Sequence, residues 1–226
     1  MKKRFCYSLL LWSLLSSGFA QTPKKDFRNQ SQKEDANNKW RADDISQLDL
    51  LHALSIAGIR VHKFKLGDFD KAYQFHVIID EFVNGKITKT DTILNETNEY
   101  TEPIRGEKGY NVHFIDQIKI ISQDDDNKSK LKIFTYLLES RSIEIACKKD
   151  KKDQFFSWRN YADATWKLNQ KIPLMVFASS WEDTKYHFQR FCGVVNLEEN
   201  EKQTLELLNS SPQYFRISYA VSEIKN

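Results

Sequence analysis

The feature that most constrains the fold is an alternation of apolar and polar side chains that leads into an Asn-Gly pair. Phe75, Val77 and Ile79 recur at every second position, which is the period of a β-strand with one buried face. Asn84 and Gly85 follow, and this dipeptide is typical of a two-residue type I′ turn. The segment therefore predicts a β-hairpin.

A two-residue turn also fixes which residues of the hairpin face each other. It places Phe82 opposite Ile87 and Asp80 opposite Lys89. An apolar pair and an ion pair both favour this register.

Much of the remaining chain has strand character. The alternation predicts strands at residues 59–64, 112–121, 131–138, 142–148, 174–178, 186–195 and 214–221. A polar turn at 182–185 is expected to join the strands at 174–178 and 186–195 into a second hairpin. Residues 155–168 match both the helical and the strand period. Helices are predicted only at 45–57, capped by Asp44 or Ser46 and ended by Gly58, and at 197–208.

Short connections between successive strands favour antiparallel pairing, and two helices are too few to cover a parallel sheet. We therefore expect a mainly β fold with minor α: an antiparallel β-sandwich or strongly curved sheet with a helix near each end of the domain. The alternative is an α+β fold with a single antiparallel sheet.

The first twenty residues have the three parts of a secretory signal peptide. Basic residues open the chain, an apolar run covers residues 5–15, and small residues lead to Ala20. The run is too short to span a bilayer, and Cys6 lies at its start, where a lipid anchor would not be attached. We expect a signal peptide at 1–20, a flexible polar linker at 21–44, a single globular domain at 45–226, and a periplasmic or extracellular location.

The charge of the chain depends on this leader. The full sequence has 34 Lys and Arg against 31 Asp and Glu, and Lys2, Lys3 and Arg4 account for the whole excess. The remaining charges alternate in sign along the chain, whereas nucleic-acid binders concentrate cations on one face. This pattern argues against nucleic acid and anionic membranes as partners, and no later segment is long and apolar enough for a membrane span.

Aromatic residues are dense between residues 155 and 181. Trp158, Arg159, Tyr161, Trp166 and Trp181 are the candidate ligand-binding residues, because exposed Trp and Tyr beside Arg stack on sugar rings or anchor protein partners. Core packing is the competing explanation of the same cluster. A carbohydrate or another envelope protein is the expected partner.

Other chemistry has weaker support in the sequence. Cys147 and Cys192 are either a disulfide formed in an oxidising compartment or two buried thiols.

The five histidines are dispersed without metal-site spacing, and residues 124–127 lack the Gly and distal Glu of a calcium loop. No metal or other cofactor is therefore expected. The adjacent carboxylates Glu198 and Glu199 would face opposite ways on a strand, and no catalytic motif is recognised.

Several segments carry a resemblance to a known family: residues 173–181, 190–193 and 211–215, with 50–60 and 80–86 earlier in the chain. Together they resemble an uncharacterised family of secreted proteins from Bacteroides-type gut bacteria. The resemblance implies a domain of unknown function in an exported protein and transfers no functional residue.

Three functions remain open from the sequence. The first is a non-enzymatic binding or interaction module of the periplasm or cell surface. The second is a periplasmic hydrolase whose catalytic groups converge only in the fold. The third is a structural or assembly accessory protein that pairs through an exposed strand.

Overall fold

The structure is a computed structural model that describes residues 46–106, 108–135, 138–191 and 194–224. The chain divides into two units, Met1–Asp49 and Leu50–Asn226, and almost all of the described residues belong to the second. The elements in chain order are α1 (Gln47–Ile56), β1 (Ile59–Lys65), β2 (Gln74–Val83), β3 (Lys86–Thr97), β4 (Glu99–Pro103), β5 (Tyr110–Phe114), β6 (Gln117–Asp125), β7 (Lys128–Thr135), β8 (Leu138–Ala146), β9 (Phe156–Tyr161), β10 (Lys171–Ser179), β11 (Trp181–Asp183), β12 (Phe188–Arg190), β13 (Asn196–Leu197), α2 (Lys202–Ser210) and β14 (Gln213–Ser222).

Two sheets carry the fold. The smaller has four strands in the order β1-β6-β7-β8, and the larger has six in the order β13-β9-β10-β14-β2-β3. Neighbouring strands within these sheets are antiparallel, except for the short parallel pair of β13 and β9. Two separate hairpins, β4-β5 and β11-β12, complete the strands of the described residues.

The main core lies between the two sheets. Every second side chain of β6 and β7 points toward it, as the strand period requires. Buried side chains from both sheets pack in one cluster, which includes Ile118, Ile120, Leu131, Ile133, Phe75, Val77, Phe177 and Ile217. The predicted antiparallel β-sandwich with a helix near each end is confirmed, and the single-sheet alternative is wrong because two sheets share this core.

A second, smaller cluster covers part of the other face of the six-stranded sheet. There Leu207 of α2 packs with Phe82, Val176 and Tyr214 from three strands of the sheet. Strands β10 and β14 are therefore buried on both faces, and β10 has a nearly continuous apolar sequence instead of a clean alternation.

The predicted hairpin is formed by β2 and β3. Asn84 and Gly85 have φ angles of 50° and 73°, as a type I′ turn requires. Phe82 lies opposite Ile87, as predicted. The predicted pairing of Asp80 with Lys89 is wrong, because an irregularity between Glu81 and Phe82 shifts the register by one residue.

Two other strand predictions need correction. The strand expected at 112–121 is split between β5 and β6, and these two strands belong to different sheets. The second hairpin is shorter than expected, because the turn after Asp183 joins β11 to β12. Strand β10 pairs instead with β9 and β14.

Helix α1 begins and ends as the sequence predicts. The Asp49 amide donates a hydrogen bond to Ser46 Oγ, while the Ser46 amide donates to Asp49 Oδ2. Gly58 follows the helix with a φ of +70°, which favours glycine. A Cβ atom at Gly58 would lie 2.5 Å from the backbone oxygen of Asp124, so the contact between the strands also requires glycine.

Candidate functional site

The predicted ligand-binding residues of β9 do not share one face. Successive side chains of a strand point to opposite sides, so Trp158 faces the main core while Arg159 and Tyr161 face the second cluster. Residues 155–168, which matched two periods in the sequence, are a strand up to Tyr161 and then irregular.

Trp158 lies in the interior of the sandwich. Only 3% of it is exposed, and its ring stacks on Phe177 at a centroid distance of 4.3 Å. Its indole Nε1 donates a 2.9 Å hydrogen bond to Asp124 Oδ1. Trp158 therefore offers no surface for stacking on a ligand, and it holds β9 against β6.

Arg159 and Trp181 pack on the opposite side of the sheet. Arg159 Nε donates to the Val194 carbonyl at 2.7 Å, and its guanidinium lies 4.6 Å from the centre of the Phe191 ring. Trp181 is partly buried beside the same phenylalanine. These contacts fix the chain that leads into β13.

Trp166 belongs to a loop that crosses from β9 to β10. Its ring stacks on Phe69 at 4.8 Å, and its Nε1 donates to the Asp68 carbonyl. The loop is residues 162–170, and we call it the anchored loop. Its backbone amides bond to carbonyls of three other segments: Ala162 to Leu197, Trp166 to Leu66, and Asn169 to Val221.

Tyr219 adds a side-chain contact that fixes the anchored loop. Its hydroxyl donates to the carbonyl of Ala164, and burial raises the pKa of Tyr219. The hydroxyl therefore stays protonated and keeps donating at neutral pH. A loop held by this many hydrogen bonds positions its side chains before any ligand arrives.

A cavity of about 490 Å³, which we call the end groove, lies beside the anchored loop where β9 ends and β10 begins. Its walls include Tyr161, Ile172, Pro173 and Leu197. Its polar side chains are Asp163, Thr165, Lys167, Glu198, Glu199 and Asn200. A second cavity of about 410 Å³ shares Tyr161, Asp163 and Thr165 with it and reaches Lys63, Lys65 and Asn160.

The protonation of two groups in the end groove follows from their surroundings. Hydrogen bonds from Thr165 lower the pKa of Asp163, so this carboxylate is ionised at neutral pH. Burial raises the pKa of Tyr161 to about 12, so its hydroxyl remains a donor. The end groove thus combines a neutral aromatic hydroxyl with fixed carboxylate acceptors.

Of the five predicted residues, only Tyr161 lines the end groove. The sequence missed Asp163, Thr165 and Asn200, because loop residues without a motif carry no periodic signal. Glu198 and Glu199 were noted but expected to diverge. They follow β13 in a turn, not within a strand, and both line the end groove.

A buried ionic cluster lies on the outer face of the six-stranded sheet, at the border of the second core cluster. Asp80 is only 1% exposed, and its carboxylate accepts a 2.8 Å hydrogen bond from Thr90 Oγ1. Lys171 Nζ pairs with Asp80 Oδ2, and Arg216 Nη2 lies 3.6 Å from the same oxygen. The Arg216 guanidinium also stacks on Phe82.

Cys147 is a partly buried thiol at the edge of the main core. Burial raises the pKa of Cys147 to about 11, so the thiol is protonated and unreactive at neutral pH. Cys192 lies outside the described residues, and the disulfide between these two residues stays a prediction.

Two features are absent from the residues that the structure describes. No three His, Cys, Asp or Glu side chains there come together as metal ligands. None of the helices described is long and apolar enough to cross a membrane.

The fold and site define a β-sandwich protein with a polar cavity built at one end of its larger sheet. The chain belongs to a family described as a domain of unknown function, DUF5041, whose model matches residues 29–223. No curated protein and no solved structure matches the chain. This match confirms one part of the predicted resemblance, namely that the chain contains a domain of unknown function.

Proposed function

We propose that the protein is an exported binding module that holds a saccharide in the end groove. The observation that carries the proposal is the lining of this cavity. Carboxylate, amide, hydroxyl and ammonium groups line it together with one aromatic side chain, Tyr161, and the anchored loop beside it is fixed by backbone hydrogen bonds. The volume of about 490 Å³ lies within the range of small-molecule sites.

The charges of the end groove narrow the class of saccharide. The charged residues that line the cavity are three carboxylates, Asp163, Glu198 and Glu199, and one lysine, Lys167. Carboxylates accept hydrogen bonds from sugar hydroxyls and attract ammonium groups, and they repel uronic acids. We therefore propose neutral or amino sugars as ligands.

The test is a screen of neutral, amino and acidic oligosaccharides, followed by titration calorimetry of each sugar that binds. Glu198→Gln is expected to weaken binding by at least about tenfold, because a hydrogen bond to a charged group contributes roughly 1.5–3 kcal/mol. Asn200→Ala is expected to weaken it by about fivefold, because a neutral hydrogen bond contributes roughly 1 kcal/mol. Glu206→Gln, an exposed change on α2, is the matched control. Binding that resists both groove variants would exclude the end groove as the site.

A hydrolase is the second candidate, and the same carboxylates favour it. Glycosidases place two carboxyl groups on either side of the scissile bond. Asp163, Glu198 and Glu199 line one cavity and are available for such a pair. Incubating the bound oligosaccharides with the protein and analysing the products by mass spectrometry separates the candidates. Cleavage that Glu198→Gln or Glu199→Gln abolishes would establish the enzyme.

Export is part of the proposal and depends on the leader at residues 1–20, which lies outside the described residues. A signal peptide supports a periplasmic or cell-surface location for the binding module. N-terminal sequencing of the protein purified from cells of its host is the direct test. We expect a chain that begins at Gln21, and a cytoplasmic product that retains Met1 would contradict export.

A further inference from the structure

The outward face of the four-stranded sheet collects lysines that are scattered in the sequence. The register places Lys63 of β1 opposite Lys119 of β6, and Lys130 and Lys132 of β7 project from the same side. We call this surface the lysine face, formed by Lys63, Lys65, Lys119, Lys128, Lys130 and Lys132.

Few acidic residues oppose these charges. On the lysine face, Glu144 pairs with Lys128 at 3.1 Å, and Asp125 lies opposite Lys128 in the register. Glu139 lies opposite Phe134 in the register of β8. Lys63, Lys65, Lys119 and Lys130 are exposed, and none has a carboxylate partner among the described residues. The surface is therefore strongly cationic, although the domain as a whole is not.

Apolar side chains accompany the lysines. Val61 projects from the same side of β1 as Lys63 and is 56% exposed. Lys119 Nζ lies 5.5 Å from the centre of the Phe134 ring, so its aliphatic stem and the ring share the surface. The lysine face is thus a sheet surface that carries both cations and exposed hydrocarbon.

Helix α1 brings a second apolar surface next to β1 along the chain. Leu51 is 61% exposed and Ile56 is 88% exposed, and no side chain of α1 is buried. Only Ala57 and Gly58 separate the helix from β1. A helix whose apolar side chains are left this exposed by the described residues is unusual in a protein that faces only water.

We propose that the lysine face and the exposed side chains of α1 bind an anionic lipid bilayer. Lysines near such a surface are attracted to acidic headgroups, and leucine and isoleucine side chains enter the boundary between headgroups and acyl chains. Nucleic acid or a sulfated polysaccharide would satisfy the lysines, but neither would cover the hydrocarbon of Val61, Leu51 and Ile56. The lipid surface therefore accounts for both observations.

The test is sedimentation of the chain that begins at Gln21, the form left by the proposed export, with vesicles of phosphatidylcholine, with and without one third phosphatidylglycerol, at low and high salt. We expect binding to the anionic vesicles only, and loss of that binding in high salt. The triple variant Lys119→Gln, Lys130→Gln, Lys132→Gln is expected to bind about 100-fold more weakly, at roughly fivefold per lysine. All variants keep residues 21–45, so any contribution of that segment is the same in each.

Two further variants make the result specific. Lys86→Gln, Lys152→Gln, Lys185→Gln removes the same charge from exposed positions outside the lysine face and is expected to bind normally. Leu51→Ser, Ile56→Ser is expected to lose at least tenfold, as burial of two such side chains implies. Circular dichroism checks that each variant is folded.

Three outcomes would overturn the proposal. The first is equal binding to neutral and anionic vesicles. The second is an equal loss in the two lysine triples, which would show dependence on net charge alone. The third is binding to heparin or duplex DNA that the serine variant leaves intact while vesicle binding is absent. That result would assign the lysine face to a soluble polyanion.

Discussion

Asp80 and Asp124 are two carboxylates withdrawn from solvent in the same sandwich, and they are held in opposite ways. Asp80 lies on the outer face of the six-stranded sheet between the cations of Lys171 and Arg216. Asp124 lies at the end of β6 and accepts hydrogen bonds from the neutral donors Trp158 Nε1 and Ser129 Oγ. Arg60 approaches Asp124 from the surface at 3.6 Å.

The difference follows from what covers each carboxylate. The outer face near Asp80 is closed by long cationic side chains whose charge the carboxylate compensates. The interior near Asp124 is closed by uncharged groups, and the carboxylate remains partly in contact with water. Removing Asp80 therefore leaves charge without a partner, whereas removing Asp124 leaves mostly hydrogen-bond donors without an acceptor.

The largest expected effect is that of Asp80→Ala. Breaking a fully buried ion cluster by removing one partner costs about 3–5 kcal/mol of the free energy of unfolding, and the value for Asp80 lies at the lower end because Lys171 and Arg216 are partly exposed. Asp124→Ala is expected to cost less, about 1–3 kcal/mol. Urea unfolding monitored by tryptophan fluorescence measures both, and Asp91→Ala on the exposed side of β3 is the control. A larger loss in free energy of unfolding for Asp124→Ala than for Asp80→Ala would contradict the comparison between the two carboxylates.

Gly58→Ala tests the backbone that carries Asp124. We expect a loss of about 2–3 kcal/mol, because a positive φ strains alanine and its Cβ would collide with the Asp124 carbonyl. Gly85→Ala is a matched control, since Gly85 has a φ of +73° and no atom within 4 Å of its added Cβ. If urea unfolding gives the same loss in free energy of unfolding for the two variants, the close contact at Asp124 contributes nothing to stability.

Trp158→Phe isolates one hydrogen bond of Asp124. The phenylalanine keeps the stacking on Phe177 and removes the indole donor, so we expect a loss of about 1 kcal/mol in thermal or urea unfolding. Trp166→Phe removes a similar donor from a partly buried position and is expected to cost less. If Trp166→Phe costs more, burial does not determine the value of these bonds.

The smallest effect concerns Cys147, whose pKa is raised to about 11 by burial, with a further contribution from Asp124. A thiol with a raised pKa stabilises the folded state below its ordinary pKa of about 9, and this contribution is lost as the pH rises toward 11. Cys147→Ala is therefore expected to change the free energy of unfolding at pH 7 only through the packing that the side chain loses. It is also expected to flatten the decline of that free energy between pH 9 and 11. Unfolding curves across that range measure the slope, and an unchanged slope would contradict the buried thiol.

The sequence predicted correctly the structures that depend only on residues close together in the chain. The Asn84-Gly85 turn and the start of α1 at Ser46 follow from a few side chains and the backbone they favour. The register beyond Phe82 did not follow, because no local signal in the sequence marks the irregularity between Glu81 and Phe82.

The candidate site was much less predictable. Tyr161 was found because aromatic residues are visible in composition, but Trp158 belongs to the same cluster and faces the core. The side of a strand on which a residue lies is known only when the partner sheet is known. Glu198 and Glu199 line the same cavity, and a turn, not a strand, follows Leu197.

By itself, the sequence determined that the chain forms antiparallel strands with a helix near each end, because period and turn chemistry are local properties. Only the tertiary structure decided which of those strands are buried on both faces and where the charges collect. Cations and anions alternate along the chain, yet the strand period of two places six lysines on one side of the smaller sheet. The order of charges in the sequence therefore says little about their order in space, because the side on which each one emerges depends on pairing between distant segments.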